Sequence, residues 1–106
     1  MKPLRFLGSS LGDLRDMPDD VRRALGGELA RVQFGLEPSD FKSMPTVGAG
    51  VYEIRYRDKA SGPFRVMYVA KFAEAIYVLH AFQKKTQKTE KADIDLAARR
   101  YRMIGG

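Results

Sequence analysis

The spacing of apolar residues changes twice along this chain, and each change marks a different kind of element. Val21, Leu25, Leu29 and Val32 recur every three to four residues in one stripe, with Arg22, Arg23, Glu28 and Arg31 mostly outside it. That period predicts a helix with one face in a core. Pro18-Asp19-Asp20 suits its start, because proline fits the first turn and acids favour the positive end of the helix dipole. The helix should stop near Gly35. Gly26-Gly27 in its middle costs about 1 kcal/mol each relative to alanine, which predicts close packing or a local weakness. A shorter helix is expected before it, from Ser9 or Ser10 through Leu11, Asp13 and Leu14. A third is expected from Thr89 to Ile104, with Thr89 as its cap and Glu90 in the first turn. Ile94, Ala97, Ala98, Tyr101 and Ile104 form its apolar side, and Arg99, Arg100 and Arg102 suit its negative end.

Between the second and third helices the period shortens to two. Val51–Asp58, Phe64–Lys71 and Ala75–Phe82 read as strands, and their short connections permit only antiparallel neighbours. Tyr52, Ile54 and Tyr56 share one face of the first strand, and Glu53, Arg55 and Arg57 share the other. In the second, Arg65 and Met67 oppose Phe64, Val66 and Tyr68; in the third, Val78, His80 and Phe82 oppose Tyr77, Leu79 and Ala81. If the pairing keeps faces aligned, Arg55, Arg65 and His80 lie together on a sheet face that the helices leave uncovered. The fifteen residues from Leu36 to Gly50 carry Pro38, Pro45 and Gly48 and read as an irregular connection, long enough to be functional or to hide a short strand.

These elements predict an α+β fold in one domain spanning residues 1–106, with N-terminal helices on an antiparallel sheet of three to four strands and a C-terminal helix. A chain of 106 residues with 44% hydrophobic content supports one modest core. With no cysteine and one histidine, neither a disulfide framework, a thiolate site nor a histidine cluster is available, so no metal and no cofactor is expected. Met1-Lys2-Pro3-Leu4-Arg5-Phe6-Leu7 is charged early and lacks the apolar core of a secretory signal, and no run is long enough to span a bilayer; a cytoplasmic protein without membrane contact is expected.

Charge sharpens the picture because it is unevenly placed. Residues 1–50 hold seven basic and seven acidic side chains, whereas residues 51–106 hold twelve basic against six acidic, so the whole net charge of +6 belongs to the second half. Such a field attracts polyanions, nucleic acid among them; solubilising surface charge is the plainer explanation. The third strand delivers more cations at its end, since Ile76-Tyr77-Val78-Leu79-His80-Ala81-Phe82 runs into Gln83-Lys84-Lys85-Thr86-Gln87-Lys88-Thr89.

Phosphate-cradling loops, dinucleotide fingerprints and paired metal-binding carboxylates are missing, which leaves Arg55, Arg57, Arg65, His80, Lys84, Lys85 and Lys88. Arginine grips phosphate through two parallel charge-assisted hydrogen bonds, and lysine adds a mobile point charge. Such a set can cut RNA without a metal: the 2′-hydroxyl attacks the adjacent phosphate, a base takes its proton, an acid protonates the departing 5′-oxygen, and cations stabilise the added charge. Arg55 and Arg65 suit the phosphate, Lys84 and Lys85 the backbone or the acid, and His80 the base or acid, since imidazole titrates near neutrality. Each has a structural counterpart. His80 also fits a packed strand, Arg55 and Arg65 also fit cross-strand pairing with Glu53 or Glu74, and the lysines also fit a solvated turn.

The motifs carry a likeness as well. Asp40-Phe41-Lys42-Ser43-Met44, Gly50-Val51-Tyr52-Glu53-Ile54-Arg55, Phe64-Arg65-Val66-Met67-Tyr68 and Tyr77-Val78-Leu79-His80-Ala81-Phe82 with its lysine-rich tail resemble, in order and spacing, the phage-derived, HigB-like branch of the RelE/ParE toxin superfamily. Ile54 stands where leucine is usual, and Glu90-Lys91 where a proline commonly opens the last helix. The resemblance implies a type II toxin that inhibits translation and growth as a metal-independent, ribosome-dependent mRNA endoribonuclease. By the same likeness Arg55, Arg65, His80, Lys84 and Lys85 match motif positions; Arg55, Arg65, His80 and Lys84 are the expected catalytic residues, and Lys85, with Arg57 and Lys88 from the cationic pattern, the expected RNA contacts. It also implies a cognate antitoxin, often a helix-turn-helix protein, that binds operator DNA with the toxin. The ParE branch poisons DNA gyrase instead, so a gyrase inhibitor and a non-catalytic nucleic-acid-binding phage protein stand as alternatives.

Overall fold

The computed structural model describes residues 1–86 and 88–105. In chain order it forms β1 (Leu4–Phe6), α1 (Ser10–Arg15), α2 (Asp19–Gln33), β2 (Phe41–Ser43), β3 (Val51–Asp58), β4 (Gly62–Val69), β5 (Ile76–Gln83) and α3 (Lys91–Tyr101). The α+β class and the flanking helices are as the sequence predicts, and β3 has the expected bounds. The sheet is larger and mixed: five strands in the order β1-β5-β4-β3-β2, with β1 parallel to β5 and every other pair antiparallel. The two additional strands have three residues each, too few to display an alternation.

The α2 stripe of Val21, Leu25, Leu29 and Val32 packs on Ile54, Phe64, Val66, Tyr68, Ile76 and Val78 in one core. Each such side chain contributes about 1.5–3 kcal/mol when taken from water. Neither Gly26 nor Gly27 has a neighbour within 4 Å of the position a Cβ would take, so close packing does not account for the pair. A second core occupies the opposite sheet face, where Ile94, Ala97, Ala98, Tyr101 and Ile104 of the α3 segment meet Val51, Met67, Val69 and Leu79, with Met44 and Val47 from the preceding connection. The face expected to be uncovered is therefore half covered. Helix α3 takes the end of the sheet near Val51 and Val69 and leaves the end near Arg55 and Arg65 open.

A break in register changes what β5 presents. Met67 pairs with His80 but Tyr68 pairs with Val78, so Leu79 is an extra residue on β5. The bulge puts Val78 and Ala81 into the α2 core, and Tyr77, Leu79 and Phe82 onto the α3 side. The expected grouping of Val78 with His80 and Phe82 fails at this point, because one inserted residue exchanges the faces beyond it. Tyr52 also departs from expectation: it lies past the end of α2, is 36% exposed, and packs on Phe41 and Tyr68 rather than in the core. Thr89 does not cap α3; Glu90 holds that position without a side-chain cap bond, and Thr89 bonds elsewhere.

Candidate nucleic-acid interface

Antiparallel pairing sets Arg55 of β3 directly opposite Arg65 of β4, and Arg57 opposite Pro63. The period of two keeps the three guanidinium groups on one face. Strand β5 ends at Gln83, and the Lys84 N–H donates to the Pro63 carbonyl at 2.9 Å, so the chain leaving the sheet carries Lys84 and Lys85 beside the arginines. Together with Thr86 these five cations line an open cavity of about 600 Å³. Like charges set opposite each other are unfavourable in a sheet, so the arrangement calls for counter-charges.

Two carboxylates supply them. Asp40 Oδ1 accepts from Arg55 Nε at 3.0 Å and from Nη2 at 2.8 Å. Glu53 Oε1 lies 3.5 Å from Arg65 Nε, a charge contact without hydrogen-bond alignment, because that Nε has no hydrogen-bond partner among the described residues. Arg65 is further held by Nη1 donating to the Phe64 carbonyl at 2.9 Å. Glu53 is only 1% exposed. Its second oxygen accepts from the Thr89 hydroxyl at 3.1 Å, which ties the approach to α3 onto β3. Glu74, weighed above as an arginine partner, instead accepts from the Tyr77 hydroxyl at 2.8 Å.

Crowding of cations has an electrostatic consequence. Burial lowers the Arg65 pKa and Arg55 and Arg57 lower it further, while Glu53 and Asp40 oppose the shift. Lys84 is likewise held below the ordinary lysine value, by desolvation first and by the Arg65 charge second. An arriving anion relieves both.

Of the residues singled out from sequence, Arg55, Arg57, Arg65, Lys84 and Lys85 share the cavity. Lys88 faces an adjoining hollow that also touches Arg55 and Lys84. His80 is elsewhere: its Nε2 is 2.7 Å from Asp93 Oδ1 on α3, its ring stacks on Phe82 at 4.4 Å, and it lines a separate cleft with Asp13 and Lys85. Asp40 and Glu53 were not among the sequence candidates. Glu53 carries one signal, an acid sharing the β3 face of Arg55 and Arg57, which marks it as an ion-pair partner of the arginines but not as a buried one. Among the described residues no group of three His, Asp or Glu side chains could hold a metal ion. No described helix is long and apolar enough to cross a membrane.

The crystal structure of the isolated E. coli RelE toxin superposes on this chain with a TM-score of 0.59, covering 93% of this chain and 98% of that one at 20% sequence identity. At that identity the likeness establishes a RelE-like fold. No curated protein sequence matches the chain. The family model described as "Phage derived protein Gp49-like (DUF891)" matches residues 12–102, which takes in α2, four of the five strands and all of α3. The family model thus upholds the phage-derived likeness read from the motifs, the superposition upholds its RelE-like fold, and the chain belongs to the phage-derived Gp49-like family.

Proposed function

We propose that this protein is the toxin of a type II toxin–antitoxin pair and acts as a metal-independent endoribonuclease on ribosome-bound mRNA in the cytoplasm. The observation that carries the reading is the convergence of Arg55, Arg57, Arg65, Lys84 and Lys85 on one open cavity. A phosphodiester entering it meets donors already set on strands, so little reorganisation is needed as charge builds in the transition state. Arg55 and Arg65 hold the non-bridging oxygens. Lys84, whose ammonium is weakened by its surroundings, is suited to protonate the departing 5′-oxygen once the 2′-hydroxyl, its proton passing to solvent water in the open cavity, has attacked phosphorus. Arg57, Lys85 and Lys88 follow the flanking backbone, and His80 acts by fixing β5 against α3 through Asp93. An antitoxin of helix-turn-helix type, binding operator DNA together with the toxin, completes the reading.

The test is induction in bacteria followed by mapping of transcript 5′ ends. Growth arrest with new 5′ ends inside coding regions, both lost in Arg65→Ala at equal expression, is the expected result. Intact transcripts with trapped gyrase–DNA complexes would replace this reading with gyrase inhibition. A harmless wild-type protein would overturn both.

A further inference from the structure

Beside the cationic cavity the same sheet face continues into a second hollow of about 410 Å³, between β2, β3 and the start of α3. Arg55 and Lys84 border both, so the two form one continuous groove. The second hollow is of different chemistry. Met44, Pro45 and Ile94 give it an apolar lining, while Lys42 and Lys88 supply cations. A phosphate gains nothing from apolar walls, whereas a flat aromatic ring attached to a phosphate uses both.

Glu53 adds a third element. It lines this hollow although its side chain is only 2% exposed, and Lys42 lies opposite it in the β2–β3 register. A carboxylate offers about four acceptor sites. Thr89 uses one, and Arg65 makes only a charge contact, so acceptor capacity remains in the wall of the hollow.

We propose that this hollow is a nucleobase subsite, seating the base of the nucleotide whose phosphate occupies the cationic cavity, with Glu53 selecting guanine. The proposal rests on reading that cavity as a phosphate site. Among the four RNA bases only guanine places two N–H donors side by side, at N1 and N2, as a carboxylate requires. Its O6 and N7 acceptors suit lysine. Uracil offers one donor between two carbonyls, and adenine and cytosine offer an amino group beside an unprotonated ring nitrogen.

The experiment titrates nucleoside 3′-monophosphates into the purified full chain while following the methyl NMR signals of Ile94 and Met44. Guanosine 3′-monophosphate should bind about tenfold more tightly than the uridine compound and move both signals, with the inosine compound, which lacks the N2 amino group, in between. Glu53→Gln should bring guanosine to the uridine level, whereas Arg65→Gln should weaken every monophosphate by a similar factor. Equal affinities for all bases in the wild-type protein, or Ile94 and Met44 signals unmoved at saturation, would overturn the subsite without recourse to any variant. The two readings fail separately. Guanosine preference with intact transcripts in arrested cells removes the nuclease and leaves the subsite; mapped cleavage with equal monophosphate affinities does the reverse.

Discussion

The Arg65 guanidinium and the Glu53 carboxylate face each other across β4 and β3 at 3.5 Å, with side chains 11% and 2% exposed. Two charges removed this far from water stabilise the fold only while both are present. Glu53→Ala leaves the Arg65 charge without its buried partner and should lower unfolding free energy by about 3 kcal/mol, read from urea denaturation. A loss below about 1 kcal/mol would show that water or Asp40 already compensates Arg65.

Arg57 lines the cavity, is exposed, and makes no ion pair among the described residues. Its contact with RNA is expected to be electrostatic and independent of sequence. Arg57→Ala should leave stability unchanged, weaken RNA binding across all sequences, and reduce the slope of log affinity against log salt by about one unit. Fluorescence anisotropy at several salt concentrations measures this.

The lowered pKa of Lys84 sets a pH dependence whose sign follows from its cause. The folded chain gives up this proton below the ordinary lysine value of 10.5. Between the lowered value and 10.5 the unfolded chain binds more protons, so this group's contribution to stability becomes more favourable as pH rises through that window. Anion binding runs the other way, since it needs the ammonium. RNA affinity should fall as pH rises through the lowered value, and Lys84→Arg should keep affinity level to higher pH.

Arg100 is buried on α3 with Nη1 donating to the Leu79 carbonyl at 2.9 Å and Nη2 to the Ser9 hydroxyl at 3.0 Å, which clamps α3 to the bulge and to the start of α1. A Cβ on Gly8 would collide with the Arg100 guanidinium, and Gly8 sits at φ +55. Gly8→Ala should therefore cost about 1–3 kcal/mol, through the left-handed backbone and through displacement of a guanidinium held at both ends. Arg100→Ala strands two acceptors and should cost about 2 kcal/mol. The double variant should be milder than the sum, because the collision is gone. Thermal or urea melts of the four proteins close the cycle.

His80 separates a positioning role from proton transfer. Bound to Asp93 and packed on Phe82 outside the cationic cavity, it should tolerate replacement by a neutral hydrogen-bonding side chain. His80→Gln should retain growth arrest within a few-fold of wild type, whereas His80→Ala should lose thermal stability, having given up the Asp93 bond and its stacking on Phe82. Loss of toxicity in a His80→Gln protein that melts like wild type would make the imidazole itself necessary.

The amino-acid sequence by itself determined α2, the extent of β3, the apolar side of α3, and the alternation that sets Arg55, Arg57 and Arg65 on one strand face. All of these are local: a period of 3.6 or 2 is set by backbone geometry and survives in the order of residues. Only the tertiary structure decided that Glu53 is buried, that α3 covers half of the cationic face, and that Leu79 is inserted in β5, so that His80 lies opposite Met67 on the face that carries Arg65 and meets Asp93 of α3 at its covered end. Alternation says which residues share a face but not what settles on it. A bulge of one residue leaves the composition of a strand unchanged while reversing every side chain beyond it. The partners of Glu53 and Arg100 lie 36 and 91 residues away at Thr89 and Ser9, distances at which no period along the chain connects them.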